Sequence, residues 1–344
     1  MQKYRLLSVH RKGVEITNIG DYIQALAARQ YLPRVDGYVD RERLKTYSEE
    51  PCMMIMNGWY MHDTTQWPPT DLITPLFVAF HMNVSAREGM LSKEGIDYLK
   101  GHQPIGCRDI NTADVLKAKG INAYFSGCLT LTLGYKYHSA EKEDKCYIVD
   151  PKIPKSKDLL SLMKDVFYLI LKRKDVNTVT SKLFSDANIK NKRLASRFLR
   201  TYSKHIELKT LVEAEYIQQQ NKFYATQLKT EEERLQEAER LVKKYAKARL
   251  VITSRIHCAL PCLGLETPVV FVYNEDIDEV SKCRFGGLKE LFNTFVCSPK
   301  RVKPSFTISK KLSVSNPCVN KEDWRSLSEG LIKKCLEFTK ENGN

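Results

Sequence analysis

Residues 249–273, RLVITSRIHCALPCLGLETPVVFVY, read as strand, turn, helix, turn, strand. Residues 250–253 are a short apolar, β-branched run without alternation, the pattern of a strand buried on both faces of a parallel sheet, and residues 268–272 are a second such run. Between them Ile256, Ala259, Leu260 and Leu263 recur at helical spacing, and Gly264 stands where a helix C-terminus favours a left-handed residue. The unit is βαβ. Ser254, Arg255 and His257 therefore fall at the carboxyl end of a strand and in the first turn of a helix, where open α/β sheets bind ligands. A helix N-terminus offers unpaired N–H groups and partial positive charge, so a guanidinium and an imidazole added there suit a dianion. An isolated Arg-x-His is more often a surface ion pair beside a satisfied histidine. The placement after a buried strand is what favours a site.

The 344 residues allow two domains with sizeable cores, and 42% hydrophobic with 28% charged residues is a globular composition. Lys3 and Arg5 are followed by no sustained apolar segment, so no signal peptide is expected. The longest apolar run, residues 166–171, is far below the about 20 residues a membrane-spanning helix needs. Ten cysteines are scattered without a C-x-x-C pair, and Cys258 and Cys262, four apart on one helix face, read as buried thiols in a reducing cytoplasm. The net charge of +14 is concentrated in residues 151–210, which hold 15 Lys and Arg against 5 Asp and Glu. Nucleic acid, an anionic membrane or an acidic substrate would each suit such a patch, but no nucleic-acid motif accompanies it, so no nucleic acid is expected.

Along the chain, residues 4–9 read as the opening strand and residues 21–31 as the first helix, with Ile23, Leu26 and Ala27 on one face. Between them Gly20 allows a tight turn and Asp21 caps the helix, or contacts an acceptor hydroxyl from the strand-to-helix loop. Residues 53–56 and 76–80 are further strands, ending at Asn57-Gly58-Trp59 and at His81. The PIGCRD segment, residues 104–109, leads into a helix that stops at Gly120, and residues 122–126 form the next strand. Strands alternating with helices at this interval predict a doubly wound sheet. Arg108 repeats the logic of Arg255, a cation between a strand end and a helix.

Residues 136–145 are polar and read as a loop between domains, which divides the chain into 1–140, 141–320 with a basic helical region at 151–247, and a C-terminal helical segment at 321–344. Residues 211–247 read as helical. LLSLMKDVFYLILKRK, residues 159–174, is apolar to Leu171 and then cationic at Lys172, Arg173 and Lys174. It is either a docked core helix with a solvated end or an interfacial helix facing anionic lipid at the inner face of the cell membrane.

NIGDYIQ near the start, NGW, PIGCRD with GINAYFSGCLTLTLG, and LVITSRIHCALPCLGLETPVVFV resemble, in order over residues 18–291, the polysaccharide pyruvyl transferase family. The resemblance implies an α/β fold of two Rossmann-like domains facing a cleft, similar to B-type glycosyltransferases. It also implies transfer of the enolpyruvyl unit of phosphoenolpyruvate onto a sugar hydroxyl of a polysaccharide or its lipid-linked precursor, forming a pyruvate ketal and releasing phosphate. The family's Arg-x-His falls on Arg255 and His257, its middle arginine on Arg108 and its N-terminal Gly-Asp on Gly20 and Asp21.

The residue chemistry agrees. Phosphoenolpyruvate carries a carboxylate and a phosphate, which call for guanidinium forks, and Arg255 and Arg108 are candidates, with Ser254, Gly20 and Arg284 as further substrate contacts. Protonation of the donor's methylene carbon needs a general acid, assigned to His257, with His81 next in line. Asp21 would orient or deprotonate the acceptor hydroxyl. No cofactor or metal is expected, since no metal-ligand spacing occurs and arginines can neutralise the donor phosphate. Two other readings stay open: a nucleotide-sugar glycosyltransferase of the same fold, with Glu266 set against a ribose, and a non-catalytic glycan- or phosphate-binding protein.

Overall fold

Short apolar runs pair in parallel in both halves of the chain. The computed structural model describes residues 2–10, 13–156 and 158–341, so Lys157 of the basic stretch and residues 342–344 of the expected terminal segment lie outside the described residues. The first half contributes β1 (Lys3–Ser8), β2 (Gly37–Asp40), β3 (Cys52–Ile55), β4 (Gly58–Tyr60), β5 (Ile73–Leu76), β6 (Phe80–Met82), β7 (Ile105–Cys107) and β8 (Ala123–Phe125). They form two parallel four-stranded ladders, in the orders β2-β1-β3-β5 and β4-β6-β7-β8. The Met56 and Gly58 amides donate to the Leu76 and Ala79 carbonyls at 2.8 and 3.1 Å and join one ladder to the next.

The single strand expected over residues 76–80 is thus two, β5 and β6, in different ladders. Ala79 takes φ 52°, a left-handed conformation that interrupts extended backbone, and Ser126 Oγ accepts its amide at 3.1 Å.

The second half contributes β9 (Glu143–Val149), β10 (Glu215–Ile217), β11 (Ala248–Thr253), β12 (Val269–Asn274), β13 (Asn293–Cys297) and β14 (Val302–Pro304). Their order is β10-β9-β11-β12-β13-β14, parallel except for the last pair. β11 lies between two neighbours with Leu250 to Thr253 all buried, as its unalternating composition requires. β9 overlaps the expected interdomain loop because three exposed charged residues, Glu143 to Lys145, precede its buried Cys146 to Val149. β10 interrupts the expected helical region 211–247.

The helices that matter for the site are α1 (Ile19–Arg29), α2 (Ile110–Lys117), α3 (Leu159–Leu171), α4 (Arg173–Leu183), α5 (Ile189–Tyr202), α6 (Glu231–Lys247), α7 (Ile256–Gly264) and α8 (Trp324–Glu341). Asn18, not Asp21, caps α1: its side chain accepts the Gly20 amide at 3.1 Å, which places Asp21 inside the first turn. Gly264 is not the left-handed terminator of α7. That conformation belongs to Glu266, φ 54°, while a Cβ on Gly264 would overlap the Leu131 carbonyl, so the glycine serves close packing.

One buried cluster runs through both halves, with Leu26 of α1, Leu131, Leu241 of α6, Leu260 of α7 and Leu331 of α8. Each such side chain contributes about 1.5–3 kcal/mol by leaving water. At the polar rim of this contact, Thr17 and Asn18 pair antiparallel with Asn221 and Gln220, and the Ile19 amide donates to the Gln219 carbonyl at 2.9 Å. The start of α1 is therefore tied to the second half of the chain. Among the described residues no helix is long and apolar enough to cross a membrane.

Candidate active site

β11 ends at Thr253, and the turn into α7 is pinned by its side chains. Thr253 Oγ1 accepts the Arg255 amide at 2.9 Å, and Ser254 Oγ donates to the Asp150 carbonyl at 2.6 Å. Asp150, at the end of β9 with φ 44°, accepts Arg255 Nε at 2.7 Å and the Gln219 amide at 3.0 Å on the same carboxylate oxygen. Arg255 is thereby aimed, with a third of its side chain still exposed. It is also the N-cap of α7 and makes no side-chain capping bond; the Cys258 amide donates to the Arg255 carbonyl at 3.1 Å, and the amides ahead of it in the first turn keep their anion-binding potential.

His257 has φ −85° and ψ 21°, a non-helical conformation inside that first turn. Its imidazole is buried, Nε2 has no hydrogen-bond partner among the described residues, and its carbonyl accepts Gln219 Nε2 at 3.4 Å. A Cβ on Gly20 would come within 3.2 Å of His257 Cβ. Gly20 thus lies within α1 to let the helix start approach His257, not to make a turn.

From the first half come Asp21, Gln24, His81, Arg108 and Asp109. Gln24 links two of them: its Nε2 donates to Asp21 Oδ1 at 3.2 Å and its Oε1 accepts Arg108 Nη1 at 3.3 Å, while Asn57 Nδ2 holds its carbonyl at 2.9 Å. Arg108 is 2% exposed, and its Nε has no partner among the described residues. His81 Nδ1 lies 2.6 Å from Asp109 Oδ2, and Asp109 caps α2 by accepting the Thr112 amide at 2.9 Å. His81 Nε2 is buried without a partner among the described residues.

These groups act on one another's charge state and so lie close together, and the place they share, reached by solvent at Asp21, Arg255 and Arg284, is the crevice. Burial, then the charges of Arg108 and Arg284, hold the His257 pKa well below its ordinary value, with His81 and Arg255 adding to the effect. His81 is pushed down to about 4, by burial first and Arg108 second, against the pull of Asp109. Burial raises Asp109, yet the hydrogen bond and charge of His81, with Arg108 and the Thr112 amide, leave its carboxyl below the usual range. The pair is thus a neutral imidazole donating to an ionised carboxylate. Asp21 is raised by burial, although Arg41, Arg284 and Arg108 oppose this. Arg284 has its pKa lowered by burial and by Arg108, yet its side chain reaches solvent. Asp21 is likewise only half-buried by exposure.

Asp21, Arg108, Arg255, His257 and Arg284 thus come together, with Gly20 in the wall, while the Ser254 hydroxyl is engaged with backbone. Gln24, Asp109, Asp150 and Gln219 were not singled out from the sequence. Gln24 follows Asp21 by three residues on one helix face, and Asp109 directly follows Arg108, so both had a local signal. Gln219 had none, lying in a region read as helix.

Other features lie elsewhere. A cavity of about 610 Å³ is lined by Lys136, Tyr147, Arg240, Lys243, Lys244 and Lys247 among others, but it contains none of the crevice residues. Four of its cations already face carboxylates: Arg240 faces Glu237, Lys243 faces Glu239, Lys244 faces Glu215 and Lys247 faces Glu143. Glu266 sits at the far end of α7, 2.6 Å from Arg325 Nη1 and 3.6 Å from His138, in an ion pair with the C-terminal helix. Cys258 and Cys262 are both buried, and burial drives the Cys262 thiol well above its ordinary pKa, so it stays protonated.

Neither a curated protein nor a solved structure matches the chain. A family model described as polysaccharide pyruvyl transferase matches residues 18–276, from the cap of α1 to just beyond β12. That span takes in Asp21, Arg108, Arg255 and His257 and leaves out Arg284, and since it covers well over half the chain, the protein belongs to the polysaccharide pyruvyl transferase family.

Proposed function

We propose that the chain moves the pyruvyl unit of phosphoenolpyruvate onto a saccharide, forming a ketal and releasing phosphate. The observation that carries this reading is a crevice in which the buried Arg108 Nε, His81 Nε2 and His257 Nε2 have no partner among the described residues. Buried polar atoms left unpaired cost about 1–3 kcal/mol each, so they are retained where a ligand completes them. Arginines around them select an anion.

In this reading Arg108, Arg284 and Arg255 hold the donor's carboxylate and phosphate, and the start of α7 adds its amides. Asp150 takes Arg255 through Nε, and the two terminal amino groups then face the donor. His257 delivers a proton to the methylene carbon, which becomes a methyl group and leaves oxocarbenium character on the neighbouring carbon. A sugar hydroxyl attacks that carbon as Asp21 draws off its proton. The carbon–oxygen bond to phosphate then breaks, and a second hydroxyl closes the ketal. One hydroxyl proton replaces the proton given to carbon, and the other leaves with phosphate. No metal or cofactor is required in this scheme, because guanidinium charge meets the phosphate.

Burial and arginine charge disfavour the His257 cation. A bound dianion offsets that charge and restores the proton the acid needs. The same logic suits Asp21 as a base, because a raised carboxyl pKa makes it a better proton acceptor.

The ion pair of Glu266 with Arg325 weighs against the nucleotide-sugar alternative, because the acid proposed to meet a ribose is engaged away from the crevice. The deciding experiment is a thermal-shift panel with phosphoenolpyruvate and nucleotide sugars, followed by mass spectrometry of free and lipid-linked glycans after incubation. Stabilisation by phosphoenolpyruvate and an added pyruvyl group on a glycan are the expected results. Stabilisation by a nucleotide sugar alone, with a hexosyl addition, would replace this reading, and phosphoenolpyruvate binding without any product would leave a binding protein.

A further inference from the structure

α3 turns Tyr168 and Leu169 partly into the core but leaves most of its apolar surface outside. Its apolar residues Leu159, Met163, Phe167 and Ile170 recur at helical spacing and are 73%, 61%, 64% and 69% exposed, while its carboxylate, Asp165, is wholly buried. Asp165 is locked there. One oxygen meets Arg197 Nη2 at 2.6 Å and the other meets Arg200 Nη2 at 2.7 Å, both from α5. Ser196 Oγ donates to the Asp165 carbonyl at 2.6 Å, and Arg197 Nη1 reaches the Ser156 carbonyl, also at 2.6 Å. Rotating α3 to hide its leucines would strip two guanidinium groups of their counter-charge, so the outward apolar face is imposed by a buried ion pair and not by chance packing.

Cations frame this face. Lys164 is exposed on the helix itself, Lys155 precedes it, and Lys172, Arg173 and Lys174 are exposed where α3 gives way to α4. Nearby acids are mostly engaged: Asp158 caps α3 through the Ser161 amide at 2.8 Å, and Asp175 is half-buried in the first turn of α4. An apolar stripe rimmed by lysine and arginine matches a bilayer surface, where side chains such as Phe167 enter the acyl boundary and ammonium groups meet phosphate. A second copy of this chain fits less well, since the 15 Lys and Arg against 5 Asp and Glu of residues 151–210 would face their own like charge.

We propose that the outward face of α3 docks this protein on an anionic lipid bilayer. The inference stands apart from pyruvyl transfer, because it rests on α3 and α5 and on no crevice residue. If both hold, the crevice works beside a membrane and the acceptor class is a saccharide carried on lipid.

The test is co-sedimentation of the full chain with vesicles of phosphatidylcholine alone and of phosphatidylcholine with phosphatidylglycerol, at low and high salt. Binding should favour the anionic vesicles and weaken with salt. Lys172→Glu with Arg173→Glu and Lys174→Glu should weaken anionic-vesicle binding by about 100-fold or more, at roughly tenfold or somewhat less per charge. Phe167→Glu with Ile170→Glu should abolish binding to both vesicles, and both side chains are exposed enough for the melting temperature to hold. Leu159→Gln with Met163→Gln removes the same face without adding charge, and should also lose binding. Equally poor sedimentation with both vesicle types at low salt would overturn the proposal. So would a wild-type dimer in light scattering that Phe167→Glu with Ile170→Glu converts to monomer, since the face would then be an interface between copies.

Discussion

Arg197 and Arg200 meet the two oxygens of Asp165 at 2.6 and 2.7 Å, whereas the more deeply buried Arg108 has the amide oxygen of Gln24 at 3.3 Å and an Nε with no partner among the described residues. Both sites bury guanidinium groups against their solvation preference. In the first the counter-charge is internal, and the result is a fixed helix. In the second the nearest hydrogen-bonding partner is neutral, so the charge is left for something that arrives from outside. Burial alone therefore does not separate a structural arginine from a ligand-binding one. Completeness of pairing does. The same contrast runs outward, because closing the Asp165 site turns the apolar face of α3 toward solvent.

Four substitutions and a titration would break or sharpen this contrast. The largest effect is expected at His257, whose buried Nε2 has no partner to lose. In His257→Asn, single-turnover rate at saturating donor should fall by about 10²–10⁴-fold while donor affinity by calorimetry changes little. Lost affinity with a near wild-type rate would instead make His257 a binding group and move the acid to His81.

Next in size is Asp165→Asn, which leaves two guanidinium groups without counter-charge and should cost about 3–5 kcal/mol in denaturant unfolding. Arg108→Met should leave stability equal or higher, because it removes a buried charge that no carboxylate directly pairs, yet donor binding should disappear. If the two variants lose stability alike, the distinction between complete and incomplete pairing fails.

Arg255→Lys keeps the charge but gives up the Nε bond to Asp150 and the planar fork. Donor affinity by calorimetry should drop by about 10- to 100-fold, the worth of one charge-assisted hydrogen bond. An unchanged affinity would make Arg255 a partner of Asp150 and nothing more.

The smallest effect is a pH dependence. His81 is held at about 4 in the folded chain and rises to about 6.5 when unfolded, so the unfolded state binds more protons between these values. Its contribution is undiminished above pH about 6.5 and is lost progressively as pH falls toward about 4, reaching about 2 kcal/mol by pH 5. His257, shifted in the same direction, adds to the loss. Melting curves at pH 7 and pH 5 should show this drop in the wild type and a smaller one in His81→Gln. Parallel behaviour of the two proteins would mean that His81 does not titrate in this window.

The βαβ unit around Arg255 was legible because its signals are local: a run of β-branched residues, a helical period and a second run. The same held for the strand end before Arg108, whereas His81 lies inside β6 and not after a strand. Elements whose identity depends on neighbours were misread. β9 begins with three charged residues that project from a sheet, β10 has only three residues, and the break between β5 and β6 rests on a left-handed Ala79 that Ser126, far along the chain, holds in place.

Family and fold class were within reach of the sequence, as was the place of Arg108 and Arg255 between a strand and a helix, because short motifs and periodicity are properties of adjacent residues. Tertiary structure alone decided that Gly20 is a point of contact with His257, that Gln24 bridges Asp21 and Arg108, and that Asp165 faces inward while Phe167 faces out. Each of those depends on which groups lose water and which partner they find, and the partners come from distant parts of the chain. Spacing records where a side chain can point. Desolvation and pairing, settled only when the two halves meet, determine what it does there.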